Sequence, residues 1–174
     1  MVVRKYISPW IMLCVAAIFL QGCGVSYSFT GGSIPEGMTT VTVRFFENTA
    51  QIVVPSLSQS FTEALKERIR SQSSLSQVDD NGHAIFEGRI TGYTINPAAV
   101  EAGTDRAALN RLSITIQVKY TNTLTPEDSF DQSFTRFKDF STAAAPIQAQ
   151  EENLIREINQ MLTEDIYNRA FANW

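Results

Sequence analysis

The side chains that most often perform enzyme chemistry are scarce in this chain. Its single histidine, His83, follows Asn81-Gly82, a pair typical of a turn, and its two cysteines are Cys14 and Cys23. A Ser-His-Asp triad would have to use His83, yet no Gly-x-Ser-x-Gly motif surrounds any serine. Composition excludes zinc sites built from several His and Cys ligands, and no phosphate-binding or dinucleotide-binding glycine motif is present. We interpret Asp79-Asp80 as a solvated turn, and we predict no catalytic residue, no metal site and no cofactor.

The chemistry that the sequence does specify is lipid attachment at Cys23. Two basic residues precede an apolar run from Trp10 to Leu20, and a run of about ten residues is too short for a membrane-spanning helix, which needs roughly 20. Leu20-Gln21-Gly22-Cys23 then supplies an aliphatic residue, a small residue before the cleavage point and a thiol that can accept diacylglycerol. We therefore predict a lipoprotein signal peptide over residues 1–22 and a lipidated tether over 23–38. An ordinary secretory signal or an uncleaved anchor is the alternative.

The residues after Cys23 and the overall charge limit the possible cellular location and partners of the protein. Gly24-Val25-Ser26 contains no Asp, which favours the outer membrane over inner-membrane retention and a periplasm-facing position over surface display. Loss of Arg4 and Lys5 with the signal would change the formal net charge from −4 to −6. An acidic protein of this kind argues against nucleic acid as a partner, although a local basic patch is compatible with it.

Alternation of apolar and polar residues predicts four strands within a single domain over residues 39–174. The clearest strand has Leu112, Ile114, Ile116, Val118 and Tyr120 on one side. The others are predicted around 41–45, over 85–95, and from Phe130 onward after a loop over 122–128. Phe137 is out of phase with Phe130 and Phe134, which predicts a β-bulge near Thr135.

Two segments have helical spacing. The first begins near Pro55-Ser56, where Ser56 to Gln59 forms a candidate capping box, and the second begins near Pro146. Their apolar stripes are Leu57, Phe61, Leu65 and Ile69 in the first, and Ile155, Ile158, Leu162, Ile166 and Ala170 in the second. The element order β-α-β-β-β-α predicts an α+β two-layer sandwich, with two helices on one face of a four-stranded, mostly antiparallel sheet. The other sheet face is then polar and open.

Six cations fall on the predicted strands: Arg44, Arg89, Arg111, Lys119, Arg136 and Lys138. Alternation with core residues places Arg44, Arg111 and Lys119 on the open sheet face. One hypothesis is that this face carries a positive field suited to an anionic ligand such as a phosphorylated glycolipid. The alternative, which we favour for any single residue, is that the cations keep a solvated face soluble and resist edge pairing.

Short stretches along nearly the whole predicted mature chain carry a family resemblance. They are Gly22-Cys23-Gly24 with Tyr27-Ser28-Phe29, Phe45 to Asn48, Pro55 to Leu65, Phe86 to Tyr93, Asn110 to Leu112, and Asp165 to Trp174. In order and coverage they resemble LptE, the lipopolysaccharide-assembly lipoprotein family, in a divergent form. The family has no catalytic signature, so the resemblance rests on the set of stretches and not on one motif.

The resemblance implies a specific partner and ligand. Such a protein would sit as a plug inside the barrel of the outer-membrane protein LptD, help that barrel to assemble, and assist insertion of lipopolysaccharide into the outer leaflet. An anionic ligand would suit the strand-borne cations, among which position alone favours Arg89, Arg111 and Lys119. Two other classes remain open: an auxiliary lipoprotein of a lipid-trafficking ABC transporter with an apolar groove, and a pilotin-like scaffold lipoprotein with a neutral sheet face.

Overall fold

The computed structural model describes residues 34–100, 107–143 and 145–172. The predicted signal peptide, Cys23 and residues 24–33 of the predicted tether lie outside the described residues. Ile34 packs against the core and Met38 is buried within it, so residues assigned by sequence to the end of the tether contact the folded domain.

The predicted α+β class is confirmed, with two helices packed on one face of a sheet. In chain order the elements are β1 (Thr40–Val43), β2 (Glu47–Asn48), α1 (Leu57–Gln72), β3 (Ser76–Gln77), β4 (Ala84–Val100), β5 (Ala107–Asn122), a 3-10 turn (Pro126–Asp128), β6 (Phe130–Phe140) and α2 (Ile147–Phe171).

The sheet differs from the predicted one in strand number and direction. Within the described residues it has six strands in the order β3-β1-β4-β5-β6, with β2 beside β4. β1 pairs in parallel with β3 and β4, and β2 also pairs in parallel with β4, whereas β4–β5 and β5–β6 are antiparallel. The parallel pairs follow from α1, which carries the chain across the sheet between β1 and β4. β2 and β3 are two residues each, too short to show alternation.

The predicted bulge near Thr135 is wrong. β5 and β6 pair in unbroken register from Asn110↔Phe140 to Tyr120↔Phe130. Phe137 is out of phase because it points to the open face, where 46% of it is exposed, whereas Phe134 is buried against the helices. The register shifts lie instead between β4 and β5: one between Ile90 and Gly92, and two more between Pro97 and Val100.

The core lies between the helices and the sheet. The predicted stripe of α1 is fully buried, and Ile158, Leu162 and Ile166 of α2 are buried with it, while Ala170 is partly buried. At the end where β4 begins, Phe86 contacts the rings of Tyr120 and Phe171 with centroids 4.9 and 5.9 Å away. These contacts fix both helices on one face and leave the other face of the sheet uncovered by the described residues.

The helix starts are close to their predicted positions, but the predicted capping box at Ser56 does not form. Ser56 has helical dihedral angles, φ −78° and ψ −16°, and its side chain makes no capping hydrogen bond. A serine cap normally needs an extended conformation to bring its hydroxyl to the free N–H groups. α2 begins directly after Pro146, which is extended. Neither helix in the described ranges has the length and apolar content to cross a membrane.

Candidate functional site: the open sheet face

The open face of β5 and β6 is built mainly from short polar side chains. Thr115 and Thr135 lie opposite each other, and their hydroxyl oxygens are 2.9 Å apart. Gln117 bridges Asp131 and Ser133 through its amide group. Because these side chains satisfy one another across the strands, the centre of the face is polar and has few free hydrogen-bonding groups.

The end of this face where β4 begins, here called the proximal end, carries a chain of ion pairs. Arg44 lies 3.6 Å from Asp80 and 3.7 Å from Glu87. Glu87 also accepts a hydrogen bond from Lys119 at 2.8 Å. This hydrogen bond raises the pKa of Lys119. Arg44 and Lys119 therefore lie on the open face, as alternation predicts, but both have carboxylate partners.

The opposite, distal end of the face carries an arginine that is paired with a carboxylate and lies over an aromatic ring. Arg111 donates to both carboxylate oxygens of Asp139, at 2.7 and 3.0 Å, and its guanidinium carbon lies 3.8 Å from the centroid of Phe137. The hydrogen bonds from Arg111 lower the pKa of the Asp139 carboxyl. The guanidinium plane is therefore held in one orientation on the sheet surface.

Two of the six predicted cations lie elsewhere. Arg136 and Lys138 share the helix-facing side of β6 with Phe134, at the sheet edge. Arg136 pairs with Asp165 of α2 at 2.5 and 2.6 Å, and Lys138 pairs with Glu157 at 2.7 Å. The structure thus brings together Arg44, Arg89, Arg111 and Lys119 on one face, and separates the other two from them.

Arg89 differs from the other three cations of the open face. It is exposed, and it makes no ion pair with any residue in the described part of the chain. Its in-register neighbour on β2 is Glu47. With Asp80, Glu87, Asp131 and Asp139 close to the other cations, the described charges of this face nearly balance, and they do not form the uniform positive field that was hypothesised.

The side chains that sequence reasoning missed are Phe137 and Asp139. Both occupy odd-numbered positions on β6, and these positions face away from the helices. The phase of Phe137 relative to Phe134 is the signal that identifies it. The partnership of Asp139 with Arg111 has no comparable signal, because it depends on how β5 and β6 are registered.

A groove of about 750 Å³ runs between α1 and α2 on the outer side of the helix layer. Most of its lining residues are polar or charged, among them Glu63, Glu67, Glu151, Arg156 and Asn159, but carbon atoms supply most of the surface that faces the groove. Within the described ranges no group of three or more His, Cys, Asp or Glu residues could hold a metal ion.

His83 has a structural contact in this fold. Its Nδ1 accepts a hydrogen bond from the backbone N–H of Thr39 at 3.2 Å, and its own backbone N–H donates to Thr40 Oγ1 at 3.0 Å. These contacts fix the start of β1 beside the start of β4. One ring nitrogen of His83, Nδ1, is thereby engaged by the backbone.

A protein-family model matches most of the folded domain. The family model described as LptE, lipopolysaccharide-assembly, matches residues 38–170. A search of curated proteins gives no match.

Solved structures with a similar fold include three bacterial proteins of low sequence identity. A minor lipoprotein from Acinetobacter baumannii has a TM-score of 0.51 and 14% identity, covering 78% of this chain and 92% of its own. The rare lipoprotein B from Shewanella oneidensis has a TM-score of 0.51 and 13% identity, covering 75% and 92%. A hypothetical protein from Chlamydia trachomatis has a TM-score of 0.53 and 9% identity, covering 75% and 94%. At these identities the likeness supports the fold alone.

Proposed function

Because this chain belongs to the LptE family of lipopolysaccharide-assembly proteins, we propose that it partners an outer-membrane β-barrel of the LptD type. In this role it acts as a plug and assembly factor and assists insertion of lipopolysaccharide into the outer leaflet. The observation that carries the proposal is the family match, which extends from Met38 in the core to Ala170 in the last turn of α2. The role is non-enzymatic, in keeping with an assembly family.

The open sheet face supports a plug role through its polarity. Barrel lumens are polar, whereas the outer walls of membrane barrels are apolar. The hydroxyl pair of Thr115 and Thr135 and the ion pairs of Glu87 and Asp139 are compatible with a wet, polar wall. The helices bury their apolar stripes against the sheet, so these stripes need no cover from the partner.

For lipopolysaccharide itself, we propose that Arg89 makes the first contact with an anionic group. Arg44, Arg111 and Lys119 would have to exchange a carboxylate for a phosphate, which gains little because one ion pair replaces another. Arg89 is exposed and has no such partner among the described residues. A phosphate could therefore bind its guanidinium group without displacing an internal carboxylate.

We further propose that Cys23 carries the lipid anchor and that the domain faces the periplasm. A triacylated cysteine supplies enough buried methylenes, at about 0.8 kcal/mol each, for stable anchoring. Ile34 stands eleven positions after Cys23, a span of at most about 36–40 Å when fully extended. The domain would therefore stay close to the membrane in which its partner barrel sits.

A mild-detergent pull-down of the tagged, lipidated chain from outer membranes tests this proposal. We expect one large barrel protein, retained in roughly equal amount, together with lipopolysaccharide. A Cys23→Ser chain provides the control for anchoring, since its domain is unchanged. Recovery of the wild-type chain alone, or with subunits of an inner-membrane transporter, would contradict the barrel partnership and favour the ABC-auxiliary alternative.

A further inference from the structure

We infer that the groove between α1 and α2 is a docking site for a basic amphipathic helix of a partner protein. It is here called the interhelical groove, and its volume is about 750 Å³. None of its lining residues lies on the open sheet face. The inference therefore goes beyond the proposed barrel partnership and does not depend on it.

The interhelical groove forms because the facing side chains of α1 are small. Ser56, Ser60 and Ala64 line it at intervals of four residues, and Ile155 and Asn159 line it at the same interval on α2. Residues four apart share one face of a helix, so each wall is a continuous stripe. Interaxial distances depend on the side chains at the contact, so the small stripe lets a further helix approach closely.

The shape of the interhelical groove suits a helix. On and just before α1 its lining extends from Ser56 to Ser71, which is about 22 Å at 1.5 Å per residue. Lining residues of both helices are exposed, among them Glu67 and Arg156, so the groove is open along one side. A small ligand is held by a pocket that encloses most of its surface, whereas an amphipathic helix lays only its apolar face into a groove.

The floor of the groove supplies an apolar surface for such a helix. Carbon atoms make up most of the surface that faces the groove. Ile155 is buried at 5% exposure, and Val54 and Ala64 are partly exposed. Leucine or isoleucine side chains of a partner that cover this floor would remove carbon surface of both proteins from water, which is favourable.

The lining of the groove carries a net negative charge. It includes two arginines, Arg68 and Arg156, and four glutamates, Glu63, Glu67, Glu151 and Glu152. The sum is −2, since two positive charges offset two of the four negative ones. Arg68 is directed toward α2, where it donates to the backbone oxygen of Gln160 at 3.1 Å and lies 4.0 Å from Glu164.

The carboxylates of the groove can meet cations on both sides of a docked helix. Glu63 and Glu67 stand one turn apart on α1, and they pair with Lys66 and Arg70 of the same helix. Exposed pairs of this kind are weak. On α2, Glu152 makes no ion pair with any residue in the described part of the chain. Lysines or arginines beside the apolar stripe of a partner would meet carboxylates on both walls, and this complementarity of charge specifies a basic helix.

The floor also holds an unsatisfied polar group. Asn159 is 2% exposed and its amide nitrogen donates to Ser60 Oγ at 3.0 Å, but its Oδ1 has no hydrogen-bond partner among the described residues. Buried polar atoms are rarely left unpaired in native proteins. A lysine or arginine of the docked helix that reaches Asn159 would supply the missing donor. This oxygen points to a bound cation independently of the glutamates.

A synthetic helical peptide tests the inference. The peptide has about 16 residues, enough to follow the groove, with a stripe of leucines at helical spacing and lysines on both sides of it. Its fluorescence anisotropy is measured with the mature chain carrying Cys23→Ser, so that neither lipid nor detergent is present. One control peptide has glutamate in place of every lysine, and another has the same composition in an order that breaks the stripe. We expect the first peptide to bind and both controls to bind at least about tenfold more weakly.

Three results of this titration would overturn the inference. They are the absence of binding by the lysine peptide, equal binding by either control peptide, and binding of spermidine as tight as that of the lysine peptide. The last result would show that the groove takes small amines and that a helix is not its occupant.

Charge-reversed variants locate the site. Glu63→Lys combined with Glu152→Lys reverses two charges in the groove, and Glu36→Lys combined with Glu127→Lys reverses two exposed charges outside its lining. The net charge changes equally in both, so a difference between them reports local complementarity. Binding of the lysine peptide should weaken by about tenfold in the first double variant and by less than about twofold in the second. Equal binding by the two double variants would overturn the groove as the site.

A change of volume without a change of charge gives a separate test. Ala64→Leu fills part of the groove, and Ala149→Leu makes the same change at an exposed position of α2 outside the lining. We expect binding of the lysine peptide to weaken by about tenfold in Ala64→Leu and to stay unchanged in Ala149→Leu, with unfolding curves that match the wild-type chain in both. Wild-type binding by Ala64→Leu would overturn the inference.

Discussion

Replacing Gly88 by alanine should destabilise this fold far more than the same change four residues later, at Gly92. A Cβ atom on Gly88 would lie 2.0 Å from the backbone oxygen of Gln117 and 2.8 Å from a ring carbon of Phe46. An ordinary contact begins near 3.4 Å, so the backbone of β5 would have to move by about 1.4 Å. At Gly92 the nearest atoms are Cβ and Oγ1 of Thr115, at 3.1 and 3.2 Å, so a shift of a few tenths of an ångström relieves the contact.

The expected magnitude follows from these contacts. Overpacking a well-packed core costs about 1–3 kcal/mol, and a lost ladder hydrogen bond adds about 1 kcal/mol. Gly88→Ala should therefore lower the free energy of unfolding by about 3 kcal/mol, equivalent to a fall in Tm of about 10 °C for a domain of this size. Gly92→Ala should cost less than about 1 kcal/mol.

Urea and thermal unfolding of the two variants, followed by circular dichroism, gives both values. If Gly88→Ala unfolds within 1 kcal/mol of the wild-type chain, or no lower than Gly92→Ala, then the close approach of β4, β5 and Phe46 is wrong.

Three further predictions concern polar groups. Asn159 is buried, donates to Ser60 Oγ at 3.0 Å and leaves Oδ1 without a partner among the described residues. In urea unfolding, Asn159→Leu should leave the free energy of unfolding unchanged or raise it, whereas Asn159→Asp should lower it by more than about 2 kcal/mol near neutral pH. Equal losses in the two variants would contradict this prediction. Burial raises the pKa of Tyr93 and of Tyr120, and Glu151 adds to the effect at Tyr93. The unfolded chain loses these phenol protons near pH 10, whereas the folded chain keeps them. The free energy of unfolding, measured in urea, should therefore fall as pH rises above about 10, and it should fall less steeply in Tyr93→Phe. Arg89→Ser should reduce binding of lipopolysaccharide to the purified chain more than Arg44→Ser does, and equal binding by both would remove Arg89 as the proposed contact.

The regular parts of this fold are predictable because they repeat along the chain. Alternation from Leu112 to Tyr120 identifies β5, and the spacing of four from Leu57 to Ile69 identifies α1. β2 and β3 are not predictable in this way, because two residues cannot show a period. Their parallel pairing with β4 and β1 depends on the path of α1 across the sheet.

The site was predictable only in part, because its charges are set by partners distant in sequence. Alternation along β5 places Arg111 and Lys119 on the open face. On β6 the bulge predicted near Thr135 does not exist, and the regular strand places Arg136 on the helix-facing side. Arg136 meets Asp165, which is 29 residues away on α2, and Arg111 meets Asp139, which is 28 residues away on β6. The sequence therefore indicated six strand-borne cations that could bind an anion. In the folded chain five of the six are paired with carboxylates.

The most direct test of the proposed role is to deplete this chain in its own bacterium and to measure lipopolysaccharide in the outer leaflet of the outer membrane. The proposal predicts that newly made lipopolysaccharide fails to reach the surface, that the partner barrel is lost or misassembled, and that wild-type chain restores both. Normal surface lipopolysaccharide and a normal barrel after complete depletion would contradict it.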